Sequence, residues 1–174
     1  GSFRCTALVE ELAKTGASIH VITTAPNRYE SFTVKANESD TKDNVSINRI
    51  SIPSHKSGMI DQIKAFYVFY RGAKKIAAIN DYDLIFATSS RLFTAFLGAR
   101  ISIKKRIPLY LDIRDLFADT MSNILSPSLV WLASPVLSVI ERYTFNSAKK
   151  INLVSKGFLP YFEQRYSDIP ITFF

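Results

Sequence analysis

The chain has 174 residues, of which 22 are basic and 15 acidic, and its formal net charge is +7. Its length suits one domain, and a hydrophobic share of 47% excludes an intrinsically disordered chain. The positive charge favours an anionic partner: a phosphate-bearing ligand, an anionic membrane surface or nucleic acid. A single cysteine excludes an internal disulfide framework and, with only two histidines beside it, supplies no zinc-binding spacing.

Short β-rich runs alternate with longer helical patterns along the chain. The patterns predict strands over residues 18–24, 45–52, 83–87, 108–113, 149–154 and 169–174. Helices are predicted over 6–14, from a cap at Ser57, over 92–103, 127–147 and 157–166. This alternation predicts an α/β fold, an open, mostly parallel sheet with helices on both faces.

Three local features refine this prediction. Polar residues 33–44 indicate a surface loop, and the strand over 45–52 suits an edge or half-exposed position because it alternates and ends at Pro53. The apolar stripe of the helix after Ser57 is predicted to run through Ile60, Ile63, Tyr67, Tyr70 and Lys74, with Phe66 and Ala77 beside it. A fold of this kind normally opens with a strand, whereas this chain opens on a helix. We therefore expect a domain that lacks its first strand.

Ligands of open parallel sheets bind beyond the carboxyl ends of the strands. Asp112, Arg114 and Asp115 surround one such strand end. They suit a binding or catalytic site, and equally an Asp–Arg structural pair. Ser89, Ser90 and Arg91 follow another strand and suit ligand binding at a helix N-terminus, although simple N-capping explains the serines as well.

Several established motifs are absent from the sequence. There is no G-x-G-x-x-G and no P-loop, so neither phosphate cradle is present. No Ser/His/Asp order stands out. The basic residues are spread along the chain and match no nucleic-acid motif, so nucleic acid is not the predicted partner.

Three segments together resemble a known family. Residues 1–24 resemble the opening of many family-four retaining glycosyltransferases, in which a glycine-containing loop leads into the first helix and then a strand ending in Val-Ile-Thr. The run Asp112-Ile-Arg-Asp-Leu-Phe117 is similar to the Asp-(Ile/Val)-Arg-Asp-Leu-Trp signature of the O-antigen and capsule branch. Residues 150–157 resemble its Lys-Ile-x-x-Val-Ser-x-Gly segment.

The resemblance implies a GT-B architecture, with two Rossmann-like domains facing each other across a cleft and no metal required. Residues 1–174 would form a single N-terminal, acceptor-side domain that lacks its first strand and the C-terminal donor domain, and would be inactive alone. The whole enzyme would move a sugar from a nucleotide-sugar to a lipid-linked glycan acceptor in surface polysaccharide synthesis. No cofactor is expected beyond that donor. The main alternative is a non-catalytic, flavodoxin-like α/β module that binds a ligand or regulates a partner.

Site residues follow from the same resemblance. Asp115 and Arg114 are the predicted catalytic residues: a carboxylate can take the acceptor's hydroxyl proton, and a guanidinium can stabilise the leaving phosphate. The predicted acceptor-binding residues are Asp112, Ser89, Ser90 and Arg91. Gly1 and Ser2 match the loop that approaches the donor phosphates. Many relatives carry a histidine where Arg114 stands, so no role of that histidine transfers.

The most apolar stretch, residues 125–145, allows two interpretations. It fits a buried helix kinked at a proline, and it also fits an amphipathic helix that enters a membrane interface. Lys104, Lys105, Arg106 and the pair Lys149-Lys150 would then lie near anionic headgroups. The predicted location is cytoplasmic, with peripheral binding at the inner face of the cytoplasmic membrane.

Overall fold

The computed structural model describes residues 2–25, 37–53, 59–89, 91–116 and 127–173. The chain divides into two compact units, Gly1–Asn80 and Asp81–Phe174. The first contains α1 (Ser2–Lys14), β1 (Ile19–Thr24), β2 (Ser39–Lys42), β3 (Val45–Ile50) and α2 (Met59–Ala78). The second contains β4 (Ile85–Ser89), α3 (Leu92–Lys105), β5 (Leu109–Ile113), α4 (Pro127–Asn146), β6 (Lys150–Leu153), a 3₁₀ turn (Lys156–Phe158), α5 (Leu159–Arg165) and β7 (Ile171–Phe173). The predicted single domain over residues 1–174 stays a prediction.

The sheet of the first unit has the strand order β1-β3-β2. β3 pairs with β1 in parallel and with β2 in antiparallel fashion, and all six of its residues are half-buried. The half-exposed character of β3 is therefore confirmed, but its predicted edge position is wrong. β3 is central because it has partners on both sides.

The predicted loop over residues 33–44 contains strand β2, and residues 33–36 lie outside the described residues. β2 is polar throughout, so hydrophobic alternation gives no sign of it. Its ladder with β3 forms across a two-residue turn at Asp43 and Asn44, in which Asp43 has a φ of 53°. Arg49 on β3 pairs with Asp40 on β2 and holds the pKa of that carboxyl below its ordinary value.

Helix α2 buries a different face from the one predicted. Ala65, Ala73 and Ala77 are buried, whereas Ile63 is 60% and Tyr67 57% exposed. A Cβ on Gly72 would lie only 3.0 Å from Cδ1 of Ile50 on β3, so the small residues allow the helix to approach the sheet closely. The predicted stripe is wrong at Ile63 and Tyr67, whereas Ala77, predicted beside it, is buried. The contact of α2 with β3 selects small side chains rather than the largest apolar ones. Ser57, the predicted cap, lies outside the described residues.

The second unit is built on a parallel sheet with the strand order β4-β5-β6-β7. One face carries Leu109, Leu111, Ile113, Ile151 and Leu153, which are completely buried. Helices cover this face with residues that include Ala95 and Ala99 of α3, Phe145 of α4 and Phe162 of α5. The predicted buried strand over 83–87 lies two residues later, as β4. β4 is one of the two edge strands of the described four-stranded sheet, and its Phe86 is partly exposed.

A buried carboxylate joins α4 to the end of the chain's last described helix. Glu141 of α4 accepts hydrogen bonds from the hydroxyls of Tyr161 and Tyr166, the latter at 3.0 Å. The Tyr166 ring meets Phe145 edge-on at 5.0 Å between centroids. Burial and the Glu141 charge both raise the pKa of Tyr166 above its ordinary value.

This raised pKa predicts a loss of stability in alkali. Tyrosine in the unfolded chain ionises near pH 10, below the folded pKa of Tyr166, so stability should fall as the pH rises beyond about 10. Tyr166→Phe should cost about 1–2 kcal/mol at pH 7 through the lost hydrogen bond. The substitution should also flatten the alkaline decline measured by urea unfolding between about pH 9 and 11. Burial also raises the pKa of Tyr82, which is present in both proteins and should give them the same share of the alkaline decline. Only the remaining decline depends on Tyr166, so parallel declines in the two proteins would contradict its role.

Candidate functional site at the carboxyl edge of the four-stranded sheet

All four strands of the second unit run in parallel, so their carboxyl ends lie at one edge of the sheet. Strands β4, β5 and β6 end there at Ser89, Ile113 and Leu153. The residues that follow these three strands are the ones a ligand would meet, because ligands of open α/β sheets bind beyond the carboxyl ends. This edge contains most of the predicted site residues.

A row of polar side chains crosses the sheet just before this edge. Strand register aligns Thr88 with Asp112, Asp112 with Asn152, and Asn152 with Thr172. The Thr88 hydroxyl donates to Asp112 Oδ2 at 2.8 Å, and Asn152 Nδ2 donates to Asp112 Oδ1 at 2.6 Å. The Thr172 hydroxyl donates to Asn152 Oδ1 at 3.4 Å. One hydrogen-bonded row thus spans all four strands, and we call it the polar row.

Asp112 is the centre of the polar row. Its side chain is buried, with the residue only 3% exposed, and both carboxylate oxygens accept hydrogen bonds from neighbouring strands. Two of its partners are thus Thr88 and Asn152, which the sequence did not suggest. Asp112 therefore links β5 to β4 and β6 just before the carboxyl ends of these strands. Its predicted contact with an acceptor stays a prediction.

Arg114 and Asp115 come directly after β5. Arg114 is half-buried and Asp115 is exposed. Within the part of the chain that the structure describes, neither side chain has a hydrogen bond or an ion pair, so the predicted Asp–Arg pair is not formed there. Two residues with opposite charge therefore follow β5 at this edge, one half-buried and one exposed.

The remaining predicted acceptor residues follow β4. Ser89 is the last residue of β4, Ser90 lies outside the described residues, and the N-cap of α3 is Arg91. The prediction that a serine caps α3 is wrong, because the N-cap position falls at Arg91, whose side chain makes no capping hydrogen bond. The hydroxyl of Thr88 donates to Asp112 instead. The exposed Arg91 side chain nevertheless lies at the same edge as Arg114.

Residues 155–157, after β6, form one of the strand-end loops that the sequence indicates for ligand binding, although none of them was assigned a role. Two polar side chains lie there. Ser155 accepts a hydrogen bond from the Gly157 amide at 3.2 Å and begins the 3₁₀ turn, and Lys156 is exposed beside it. A lysine three residues beyond the end of a buried strand was the available signal. With Arg91 and Arg114, Lys156 makes three basic residues that follow three adjacent strand ends.

The predicted donor-phosphate residues belong to the first unit. Gly1 lies outside the described residues, and Ser2 is the first residue of α1. The predicted loop character of Ser2 is wrong, because the helix starts four residues before the predicted Thr6. Contact of these residues with donor phosphates stays a prediction.

The described residues lack two kinds of feature. They hold no group of three or more His, Cys, Asp or Glu side chains placed to bind a metal ion. Among the helices described, none is long and apolar enough to cross a membrane.

Comparison with known proteins rests on structure rather than sequence. No protein-family model matches the chain, and no curated protein sequence does. Its fold is similar to that of sucrose-phosphate synthase from Thermosynechococcus elongatus, with a TM-score of 0.63 at 11% sequence identity. The match covers 93% of this chain and 39% of that protein, so the chain spans about two fifths of its length.

At this identity the similarity establishes the fold. The predicted fold class, an open, mostly parallel, Rossmann-like α/β sheet flanked by helices as in one half of a GT-B fold, is confirmed. The similarity does not extend to the O-antigen and capsule branch, which stays a prediction.

Proposed function

We propose that the chain is the acceptor-side domain of a glycosyltransferase of GT-B type. The observation that carries the proposal is the carboxyl edge of the second unit, where Arg114 and Asp115 directly follow β5, the strand that contains the buried Asp112. The GT-B-like fold supports it, since the structural neighbour is named for making sucrose phosphate, which is itself a glycoside.

In the proposed reaction the acceptor hydroxyl attacks the anomeric carbon of a nucleotide-sugar. A bond forms between the acceptor oxygen and that carbon, and the bond to the nucleoside diphosphate breaks. The Asp115 carboxylate accepts the hydroxyl proton, and the Arg114 guanidinium stabilises the charge that develops on the leaving phosphate. Retention of configuration and independence of metal are part of the proposal because the family resemblance implies them.

The family resemblance suggests roles for further residues. Arg91 binds the acceptor together with Ser89 and Ser90, and Asp112 holds the strand ends in register beneath them. Gly1 and Ser2 approach the donor phosphates, which a second domain outside these 174 residues chiefly binds. The acceptor is a lipid-linked glycan of the O-antigen or capsule type, used at the inner face of the cytoplasmic membrane.

The proposed role of Arg114 predicts phosphate binding by the chain itself. Inorganic pyrophosphate should bind at the carboxyl edge, and Arg114→Gln should weaken its affinity about tenfold or more, through the loss of a charge-assisted hydrogen bond. Isothermal titration calorimetry measures this affinity. The matched control is Arg142→Gln, which removes an exposed arginine of α4 and should leave the affinity unchanged. Equal effects of the two substitutions would contradict the role of Arg114.

A further inference from the structure

The outward face of α2 combines large apolar and basic side chains. We define this face by Ile63, Lys64, Tyr67, Val68, Arg71 and Lys75, all of which are exposed. Opposite them, Ala65, Ala73 and Ala77 are buried. Ile63 and Tyr67 lie four residues apart, one turn along the helix, so their side chains are neighbours on the surface. Exposed apolar groups of this size within one helix face indicate a surface with a partner.

The charge of this helix is strongly one-sided. α2 contains four basic residues and a single acidic one, Asp61 in its first turn. Arg71 lies over the Tyr67 ring with its guanidinium carbon 5.8 Å from the centroid, and Lys74 Nζ lies 5.1 Å from the centroid of Tyr70. The cations are thus held beside the aromatic rings along the helix.

We propose that the outward face of α2 binds an anionic membrane surface. A helix with apolar and aromatic groups among lysines and arginines lies in the plane of the interface, where apolar groups enter the acyl boundary and the cations meet anionic headgroups. Tyrosine suits this depth because its ring is apolar and its hydroxyl polar. Charge complementarity selects an anionic lipid surface, and the exposed Ile63 and Val68 distinguish it from a purely ionic nucleic-acid contact.

The sequence suggested that residues 125–145 contact the membrane, whereas the surface proposed here is the outward face of α2. In the described part of α4, Val136 and Val139 are 61% and 69% exposed, but only one basic residue, Arg142, accompanies them. The face of α2 offers both an apolar and a cationic component, so we expect it to dominate binding. Membrane binding is independent of sugar transfer, and either can fail without the other.

The test is co-sedimentation of the 174-residue chain with vesicles. One set contains phosphatidylglycerol and phosphatidylcholine in equal parts, and the other contains phosphatidylcholine alone. We expect binding to the anionic vesicles only, weakening as salt is added. Ile63→Ser with Tyr67→Ser should reduce the partition coefficient about tenfold or more, and Lys64→Gln with Lys75→Gln roughly thirtyfold.

The matched control is Val136→Ser with Val139→Ser, which removes two exposed apolar groups from α4 and should leave the partition coefficient within about twofold. Circular dichroism and thermal unfolding check that each variant folds. Loss of binding in the α4 variant with retention in the α2 variants would overturn the proposal, as would negligible binding to both vesicle types. Binding that a nucleic-acid competitor abolishes, and that the Ile63 and Tyr67 substitutions do not change, would also overturn it. Because no nucleotide-sugar is present, none of these outcomes bears on the proposed reaction.

Discussion

Replacing Asp112 with alanine is expected to lower the free energy of unfolding by about 3 kcal/mol. The substitution removes the acceptor of two hydrogen bonds in a buried position and leaves the Asn152 amide and the Thr88 hydroxyl without it. A buried polar group that loses its partner bears the full desolvation cost. Urea unfolding at pH 7 measures the difference.

Two further variants sharpen this prediction. Asp115→Ala removes the same group from an exposed position three residues away and should change stability by no more than about 0.5 kcal/mol. Asp112→Asn should lose less than Asp112→Ala, because its carbonyl can still accept from Asn152 while its amide donates to a rotated Thr88 hydroxyl. Equal stability of the Asp112→Ala and Asp115→Ala proteins would show that the polar row does not support the edge.

The largest effect on activity is expected from Asp115. In a polypeptide that joins this chain to its proposed donor-binding domain, Asp115→Asn should lower turnover of the nucleotide-sugar about 100-fold or more, because the amide cannot accept the acceptor's proton. Stability should stay unchanged. The matched control is Asp83→Asn, an exposed carboxylate at the opposite, amino end of β4. If Asp83→Asn lowered turnover as much as Asp115→Asn does, Asp115 would have no specific role.

Much of the second unit follows from its sequence pattern. The apolar runs at Leu109–Ile113 and Lys150–Leu153 predict parallel strands, and the parallel arrangement predicts that the residues following them share one edge. The location of Arg114 and Asp115 was therefore accessible to sequence reasoning. The partners of Asp112 were not, because Thr88 and Asn152 lie 24 and 40 residues away and only strand register brings them together.

The first unit shows where hydrophobic periodicity misleads. In α2, apolar residues surround most of the helix, so periodicity alone does not choose a face, and close packing against β3 favours Gly72 and the alanines. Strand β2 has no apolar residue at all. It forms through its ladder with β3, across the turn at Asp43 and Asn44, and through the pairing of Arg49 with Asp40, so it depends on its partner strand and not on apolar residues of its own.

The central claim is that this chain supplies one half of a glycosyltransferase. The most direct test compares nucleotide-sugar turnover by the 174-residue chain with turnover by a polypeptide that adds the proposed second domain, over a panel of donors and lipid-linked acceptors. We expect release of nucleoside diphosphate by the longer polypeptide and none by the chain alone. Robust turnover by the chain alone would contradict the claim of a half-enzyme, and absence of turnover by both across the panel would contradict the proposed transferase function.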